Sequence, residues 1–336
     1  MANIFLRSPY YVSEEVTGLS AELVLSVNGT IVYTVLKNRQ SNNDFVLWEV
    51  SEIARDYLDL KVAAVINPVS HNVDIDITTS EWSGLNGTGT KTAINTYADF
   101  GIDAYSYFEQ GYNTTTTKGY MQSNDTIYKY SGQDLRIPLD RNNVTNIVFN
   151  FQGSVELQST ITPSAIEVFQ YIATDVDCDE IVMSTTDGMK IVKVITIEEC
   201  KFKPHKLLFV NKWGAIQDLW FFKKSTETIK AKRESFKRFN IDNENGYYNP
   251  LEHQNKTFNA QSTKEITLNT GYVDEQYNSL MQEVLQSEQV WMEVDSVITP
   301  MTVQDNSLLF KTSLNDRLVD YTLKLSYAYN TINNVR

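Results

Sequence analysis

The stretch CKFKPHKLLFVNKWGAIQDLWFF, residues 200–222, holds two apolar runs separated by a polar turn. The runs cover residues 207–210 and 219–222, and the turn covers residues 211–214. Asn and Gly tolerate left-handed backbone and Lys keeps a turn solvated, so the pattern predicts a hairpin. Each run is apolar almost without alternation, which is typical of strands covered on both faces. Because none of these residue types forms a catalytic set, the stretch indicates architecture and assembly rather than chemistry.

The wider composition favours strands over helices. The chain has 19 Tyr but only 14 Gly and 7 Pro, and Asn and Thr are frequent, which predicts a mainly β fold. Asn28-Gly29 lies between two strand-like runs, 21–27 and 30–36, and predicts a second hairpin. Ser51 is the expected N-cap of one short helix. Residues 274–288 carry apolar side chains at three- and four-residue spacing, which predicts one longer amphipathic helix.

The length of the chain predicts two domains. At 336 residues it exceeds the usual size of a single domain, and each half can bury a core without metals or disulfides. Strand patterns run on both sides of the acidic segment ATDVDCDE, residues 173–180. We therefore predict a β-sandwich-like N-terminal domain, 1–175, and a C-terminal β domain, 176–336, which contains the longer helix.

Charge and cysteine content narrow the class of protein. The net charge of −13 argues against a duplex-binding surface, because neutralising phosphates needs a basic face, so nucleic acid is not an expected partner. Cys178 and Cys200 could form one bridge at most and are expected to be free thiols. The start of the chain lacks the pattern of a signal peptide, and no run approaches about eighteen apolar residues. The sequence predicts a protein made in the cytoplasm without a membrane partner.

Several motif-like stretches fail as chemical sites. In GLNGTGTKT, Thr90 separates Gly89 from Lys91, whereas a phosphate-cradling loop needs the Gly and the Lys to be adjacent. The acidic series at 175, 177 and 179 opens like a calcium loop, but Glu180 stands where Gly must turn the chain. The three His are not in metal-ligand spacing. We therefore predict no enzyme, cofactor or metal, although two carboxylates distant in sequence could still meet in a cleft.

The run KKSTETIKAKRESFKR, residues 223–238, contains seven basic side chains. These side chains could meet nucleic acid, the acidic surface of a neighbouring copy, or solvent alone. The negative charge of the remaining chain favours a subunit contact or a solvated face over DNA. The run has no clean apolar period, so we make no secondary-structure prediction for it.

Two long polar segments, 110–134 and 240–261, are predicted to be surface loops. Their tyrosines bring large contact area at low rotamer cost, so we expect assembly with a partner to order these loops. Two mobile, solvated loops are the alternative. The candidate interface residues of these segments and of the basic run are Tyr112, Tyr120, Tyr128, Lys223, Lys224, Lys230, Lys232, Arg233, Tyr247 and Tyr248.

Three parts of the sequence together resemble a known class of proteins. They are FLRSPYYV (5–12) leading into WEVSEIARDYL (48–58), CKFKPHKLLFVNKWGAIQDLWFFKKS (200–225) and VDYTLKLSYAYNTINNVR (319–336). They are similar to tail or neck-to-tail structural proteins of phages and prophages of Bacteroidota. These motifs are packing patterns without a catalytic signature. The resemblance implies a β-sandwich assembly protein that forms rings with other virion proteins, and no functional residues carry over.

The expected function is that of a virion structural protein. It would be a tail, baseplate or tail-adaptor subunit that forms a homo-oligomeric ring and contacts other virion proteins. Its expected location is the virion, assembled in the host cytoplasm. The alternative is a receptor-binding or adhesin module of a tail fibre, in which residues 112–130 would hold a glycan by aromatic stacking.

Overall fold

The computed structural model describes residues 3–40, 43–58, 72–116, 118–162, 168–174, 176–241, 246–248, 250–294, 297–310 and 319–331. Within these ranges the protein is mainly β and β-sandwich-like, as predicted. The described strands are β1 (Asn3–Phe5), β2 (Tyr11–Glu15), β3 (Ser20–Val27), β4 (Thr30–Asn38), β5 (Phe45–Glu49), β6 (Asn72–Trp82), β7 (Lys91–Ile102), β8 (Thr115–Thr116), β9 (Thr126–Tyr130), β10 (Leu135–Asp140), β11 (Val144–Phe151), β12 (Ser154–Thr160), β13 (Val168–Ala173), β14 (Glu180–Thr185), β15 (Gly188–Ile197), β16 (His205–Val210), β17 (Ile216–Phe221), β18 (Thr226–Lys237), β19 (Asn255–Val273), β20 (Val290–Val294), β21 (Val297–Val303) and β22 (Val319–Tyr327).

The predicted short and longer helices are both present, as α1 (Ser51–Arg55) and α2 (Tyr277–Gln286). Ser51 is the first helical residue and not the N-cap, which is Val50. The reason is local, because the Ser51 hydroxyl donates to the carboxylate of Glu49 and so does not cap the helix.

The hairpin predicted at Asn28-Gly29 is confirmed as β3 and β4. Asn28 and Gly29 have φ angles of 50° and 75°, which is the left-handed pair that a tight two-residue turn requires. β3 also pairs with β6, and the sheet has the order β4-β3-β6-β7-β1-β8. This sheet packs against the two-stranded sheet β2-β5, and the shared core includes Val12, Leu23, Leu25, Val46, Trp48, Ile75 and Ile77.

A second sandwich-like core lies between the sheets β12-β11-β14-β15-β9 and β10-β13. Its buried side chains include Leu135, Ile137, Leu139, Ile147, Phe149, Cys178, Ile181, Met183, Val192 and Val194. Pro138 lies inside β10, although proline usually stands at the end of a strand. It is tolerated because, among the described strands, only β13 forms a full ladder with β10. On the other side residues 119–121 make an isolated bridge, Tyr120↔Leu139, and there the Pro138 carbonyl accepts the N–H of Met121 at 3.1 Å.

The hairpin predicted from residues 200–222 is confirmed as β16 and β17, which are neighbours in one sheet. Apart from half-buried Asp218, every residue of both strands is buried, as the unbroken apolar runs indicated. Asn211 fixes the turn, since its side-chain oxygen accepts the backbone N–H groups of Trp213 and Ala215 at 3.0 and 3.1 Å. Gly214 has φ +74°, and a Cβ there would lie 2.7 Å from the backbone carbonyl carbon of Asp103. Only glycine fits this position without displacing that backbone.

The chain forms two compact units that do not follow the predicted division at residue 175. Unit 1 comprises Met1–Glu198, Leu208–Leu219 and Gln276–Glu288, and unit 2 comprises Glu199–Leu207, Trp220–Glu275 and Gln289–Arg336. The physical reason is strand pairing across the predicted boundary. β14 follows residue 175 but is hydrogen-bonded to β11, so both strands belong to one sheet.

Within unit 1, α2 buries Tyr277, Leu280, Met281, Glu283 and Val284. The Tyr277 ring meets the Tyr128 ring edge-on at 5.2 Å between centroids. The carboxylate of Glu283 accepts the backbone N–H of Lys212 at 3.1 Å, and burial raises the pKa of this carboxyl.

Within unit 2, the strands β20, β21, β22, β19 and β18 are successive antiparallel neighbours. The alternating run that starts at Val319 favours a strand at the border of a sheet, but β22 has a neighbour on each side and lies inside this sheet. The apolar run at 308–312 predicts a further strand. This prediction is wrong for the described residues 308–310, which form no strand; residues 311 and 312 lie outside the described residues. Leu309 and Phe310 are exposed there, so they lack the buried face that would hold them in a sheet.

Candidate functional site

The candidate functional site is a two-stranded arm formed by β18 and residues 255–267 of β19. β18 pairs with β19 from Thr226↔Thr267 to Lys237↔Asn255. β22 pairs with β19 only from Glu265 to Val273, so residues 255–264 of β19 have no partner in β22. Eleven of the twelve residues of β18 are exposed and Glu234 is half-buried. A two-stranded ribbon with both faces in solvent gains little stability from the hydrophobic core. Its side chains are therefore available for contacts with another molecule.

Charge is concentrated on this arm. Residues 223–238 carry seven basic and two acidic side chains, a net charge of +5, so the other residues carry −18 of the total of −13. The ammonium of Lys230 lies 2.6 Å from the carboxylate of Glu265, and this hydrogen bond raises the pKa of Lys230. Among the described residues, Lys232 and Arg233 have no ion-pair partner. These two cations are therefore free to meet an external anion.

The arm exposes one aromatic side chain near the end of β18 and one near the start of β19. The rings of Phe236 and Phe258 contact each other with centroids 6.0 Å apart, and both are about half exposed. The tip, which we define as residues 238–241, 246–248 and 250–254, exposes Phe239 and Leu251 almost completely. Clusters of exposed large apolar residues mark interaction surfaces in folded proteins. The sequence did not predict these side chains as contact residues. Their one indication in the sequence was the presence of apolar residues without a regular period in a charged run.

The tip also contains two of the predicted contact residues. Tyr247 and Tyr248 are 77% and 69% exposed, and Tyr248 forms an isolated bridge with Ile241. The backbone N–H of Arg238 donates to the carbonyl of Gln254 at 2.8 Å, so the ladder continues past β18. The predicted polar loop at 240–261 is thus in part a strand, since its last residues belong to β19.

Lys223 and Lys224 precede the arm and are exposed. The ammonium of Lys223 lies 2.7 Å from the carboxylate of Glu199, and its aliphatic chain passes 3.0 Å from the position of a Cβ on Gly271. Lys223 therefore has a structural partner. The other predicted basic residues, Lys230, Lys232 and Arg233, lie together on β18.

The expectation that Tyr120 and Tyr128 are surface anchors is wrong. They are only 5% and 8% exposed. The Tyr120 hydroxyl donates within the segment, with Gln122 and the carbonyl of Asn124 both at 2.9 Å. Residues 126–130 form β9, which pairs in parallel with β15 and is mostly buried, so the polar appearance of the segment concealed a buried edge strand. Tyr112 is exposed, as expected, with its ring edge-on to Tyr11.

A cavity of about 210 Å³ opens beside the buried Tyr120. It is lined by Lys118, Gly119, Tyr120, Gln122, Thr185, Asp187, Gly188, Met189 and Lys190. The ammonium of Lys190 pairs with Asp125 at 2.6 Å and lies 5.8 Å from the centre of the Tyr120 ring. Sites for drug-sized ligands span about 300–1,000 Å³, so this cavity admits only a small polar group.

Among the described residues, no group of three or more His, Cys, Asp and Glu side chains could hold a metal ion. No helix in the described parts of the chain is long and apolar enough to cross a membrane. Cys178 is buried and Cys200 is exposed, and both are free thiols.

Comparisons with known proteins give little further information. No family model matches the chain, and no curated protein matches it. Among solved structures, the chain is similar to extracellular domains 3–5 of Drosophila OTK, with 7% identity and a TM-score of 0.24, over 78% of this chain and 88% of that chain. A likeness with so low a TM-score carries no argument about the function of this chain.

Proposed function

We propose that this chain is a structural subunit of a phage virion, in the tail or neck-to-tail region, that assembles into a ring with copies of itself and binds other virion proteins. The observation that carries the proposal is the arm with its tip. An arm exposed on both faces, basic along its length and apolar at its end, is explained by burial against another subunit. The resemblance of residues 5–12, 48–58, 200–225 and 319–336 to tail proteins of Bacteroidota phages supports the virion as the place of assembly.

The charge distribution supports contacts between subunits. A segment of net charge +5 on a chain whose other residues carry −18 attracts acidic protein surfaces and speeds their encounter. An acidic chain with one basic arm is poorly suited to duplex DNA, which needs a broad basic face.

Mass spectrometry of purified virions, together with cryo-EM at low resolution, tests this proposal. The chain should be present at a fixed copy number, in a ring around the tail axis. Its absence from particles would remove the proposal. A peripheral position at fibre tips would favour the receptor-binding alternative instead.

A double variant sharpens the test. Phe236→Ser with Phe258→Ser removes exposed apolar surface from the arm, so the free energy of unfolding should change by less than about 1 kcal/mol while incorporation into particles falls. Ile191→Ser, on β15, is the control, because Ile191 is also exposed but lies outside the arm and outside the lining of the cavity. Equal incorporation of both variants would contradict a role of the arm in assembly.

The cavity beside Tyr120 favours a second candidate function, binding of a glycan by a receptor-binding module. Its lining supplies Lys, Gln, Thr and Asp groups, which can hydrogen-bond one sugar unit. The Tyr120 ring is buried, so the stacking that we expected from it is not available. A glycan array should show binding that is lost in Asp187→Ala and kept in Asp177→Ala, an exposed Asp outside the cavity. Absence of binding to any glycan would remove this candidate.

A further inference from the structure

We infer that the free edge of β18 binds an extended, acidic segment of a different polypeptide, which adds to the sheet as a further strand. The inference rests on the proposed function, since it names the contact through which the subunit would hold another virion protein. It specifies the backbone geometry, the charge and the position of the bound segment.

The first argument is the open edge. Among the strands that the structure describes, β18 is the last in its sheet, and β19 is its neighbour on one side only. In an antiparallel pair, alternate residues direct their N–H and C=O groups toward the partner and the others direct them away. The twelve residues of β18 therefore leave about six outward-facing backbone pairs. Such an edge is a ready template for an extended peptide, which gains affinity from main-chain hydrogen bonds.

The second argument is the placement of charge on both faces of the edge. Side chains alternate along a strand, so Lys230 and Lys232 share one face and Arg233 lies on the other. Lys230 already pairs with Glu265 at 2.6 Å, whereas Lys232 and Arg233 have no ion-pair partner among the described residues. A strand added beside them would meet one unpaired cation on each face. The complementary strand has two adjacent acidic residues opposite positions 232 and 233, because neighbours in a strand also point to opposite faces.

The third argument disfavours self-pairing of β18. Two β18 strands paired with positions 230–233 opposite one another would bring like charges together, which is destabilising. The carboxylates that another register could use, Glu227 and Glu234, are already held by Lys264 and Asn259. Lysine on an edge strand is a common device against such self-association. Another exposed edge, β12, offers a single carboxylate, Glu156. The charge pattern therefore favours a different, acidic polypeptide over a second copy of this chain.

Peptide binding to the full chain tests the inference. The probe is a blocked ten-residue peptide of alternating Thr and Val with a central Glu-Asp pair, and its control has Lys-Lys at the centre. Fluorescence anisotropy at low salt should show at least tenfold tighter binding of the acidic peptide. Two further peptides carry N-methyl groups on alternate residues, in opposite registers. Only one register should abolish binding, because an added strand uses the N–H groups of every second residue.

Charge reversal on the protein completes the test. Lys232→Glu with Arg233→Glu should reverse the preference, so that the Lys-Lys peptide binds more tightly than the acidic one. Lys224→Glu is the matched control, an exposed lysine outside β18, and it should keep the original preference. Circular dichroism should show that both variants keep the wild-type fold, since the substituted side chains are exposed.

Three results would overturn the inference: no binding of the acidic peptide, equal binding of the acidic and Lys-Lys peptides, or equal tolerance of both N-methyl registers. Sedimentation velocity tests the second-copy alternative. Self-association that is lost on Lys232→Glu and Arg233→Glu would assign the edge to another copy and would also overturn the inference. Absence of the chain from virions would remove the proposed function but leave the peptide result standing, so the two failures are distinguishable.

Discussion

Gly214 and Gly29 share a left-handed backbone but differ in their surroundings. Nothing lies within 4 Å of a Cβ on Gly29, whereas a Cβ on Gly214 would collide with the backbone of Asp103. Gly29→Ala should cost about 1–2 kcal/mol, the price of left-handed backbone for Ala. Gly214→Ala should cost about 2–5 kcal/mol, because overpacking adds about 1–3 kcal/mol to the same backbone cost. Urea unfolding of both variants measures the difference, and equal losses would contradict a tight contact at Gly214.

Glu283 should make the stability of the protein depend on pH. Burial raises the pKa of its carboxyl above the ordinary value of 4.5. In the window above 4.5, the folded state therefore binds more protons than the unfolded state, and the free energy of unfolding falls as the pH rises. Glu283→Gln keeps an oxygen that can accept the N–H of Lys212. Because an amide does not ionise, the variant lacks this fall in the free energy of unfolding with rising pH. We expect the variant to gain stability relative to the wild type as the pH rises above 4.5 toward the raised pKa of Glu283.

Glu81 is a control for Glu283, because the pKa of its carboxyl is shifted in the opposite direction. The backbone N–H of Gly18 donates to its carboxylate at 2.8 Å and, with the help of Thr17, holds the pKa of Glu81 below its ordinary value. The ionised Glu81 side chain therefore adds to the free energy of unfolding at neutral pH. This contribution is lost as the pH falls below 4.5 toward the depressed pKa. Glu81→Gln should destabilise the protein at about pH 7 and less at lower pH. Parallel pH profiles for both variants and the wild type would contradict both assignments.

At the scale of elements, α2 should contribute to stability through its buried face. Leu280 is 2% exposed, and truncation of a buried Leu costs about 2–5 kcal/mol. Leu280→Ala should lower the denaturation midpoint accordingly. Gln282→Ala, at a half-buried position of the same helix, is the matched control and should change stability by about 0.5 kcal/mol or less. An unchanged midpoint for Leu280→Ala would mean that the helix does not stabilise unit 1.

Elements with a buried face could be predicted from the sequence, and those without one could not. The hairpins at 28–29 and 211–214 and the helix α2 have local signals, a turn pair or an apolar period, that agree with their surroundings. β18 gave no signal because it is exposed on both faces, and alternation arises only where one face is buried. Residues 120–130 were misread because their burial depends on distant partners such as Tyr277, which local polarity does not reveal.

At the scale of the whole molecule, backbone protection should differ between the two segments that the sequence presented as loops. In the isolated chain, residues 120–130 should exchange slowly, since Tyr120, Met121 and Tyr128 are buried and β9 is hydrogen-bonded. The tip should exchange fast in the isolated chain and slowly in the assembled particle. Hydrogen exchange on both samples measures this. Equally fast exchange of the tip in both states would contradict its burial in assembly.

The composition of unit 1 has a consequence for synthesis on the ribosome. The unit consists of Met1–Glu198, Leu208–Leu219 and Gln276–Glu288, so it lacks α2 until the last of these residues leaves the exit tunnel. Until then the ring of Tyr128 lacks its contact with Tyr277. A nascent chain stalled near residue 270, with Leu208–Leu219 already outside the tunnel, should therefore be digested by protease across residues 120–130, and one stalled near residue 330 should resist. Equal resistance of both would mean that the unit completes its fold without α2.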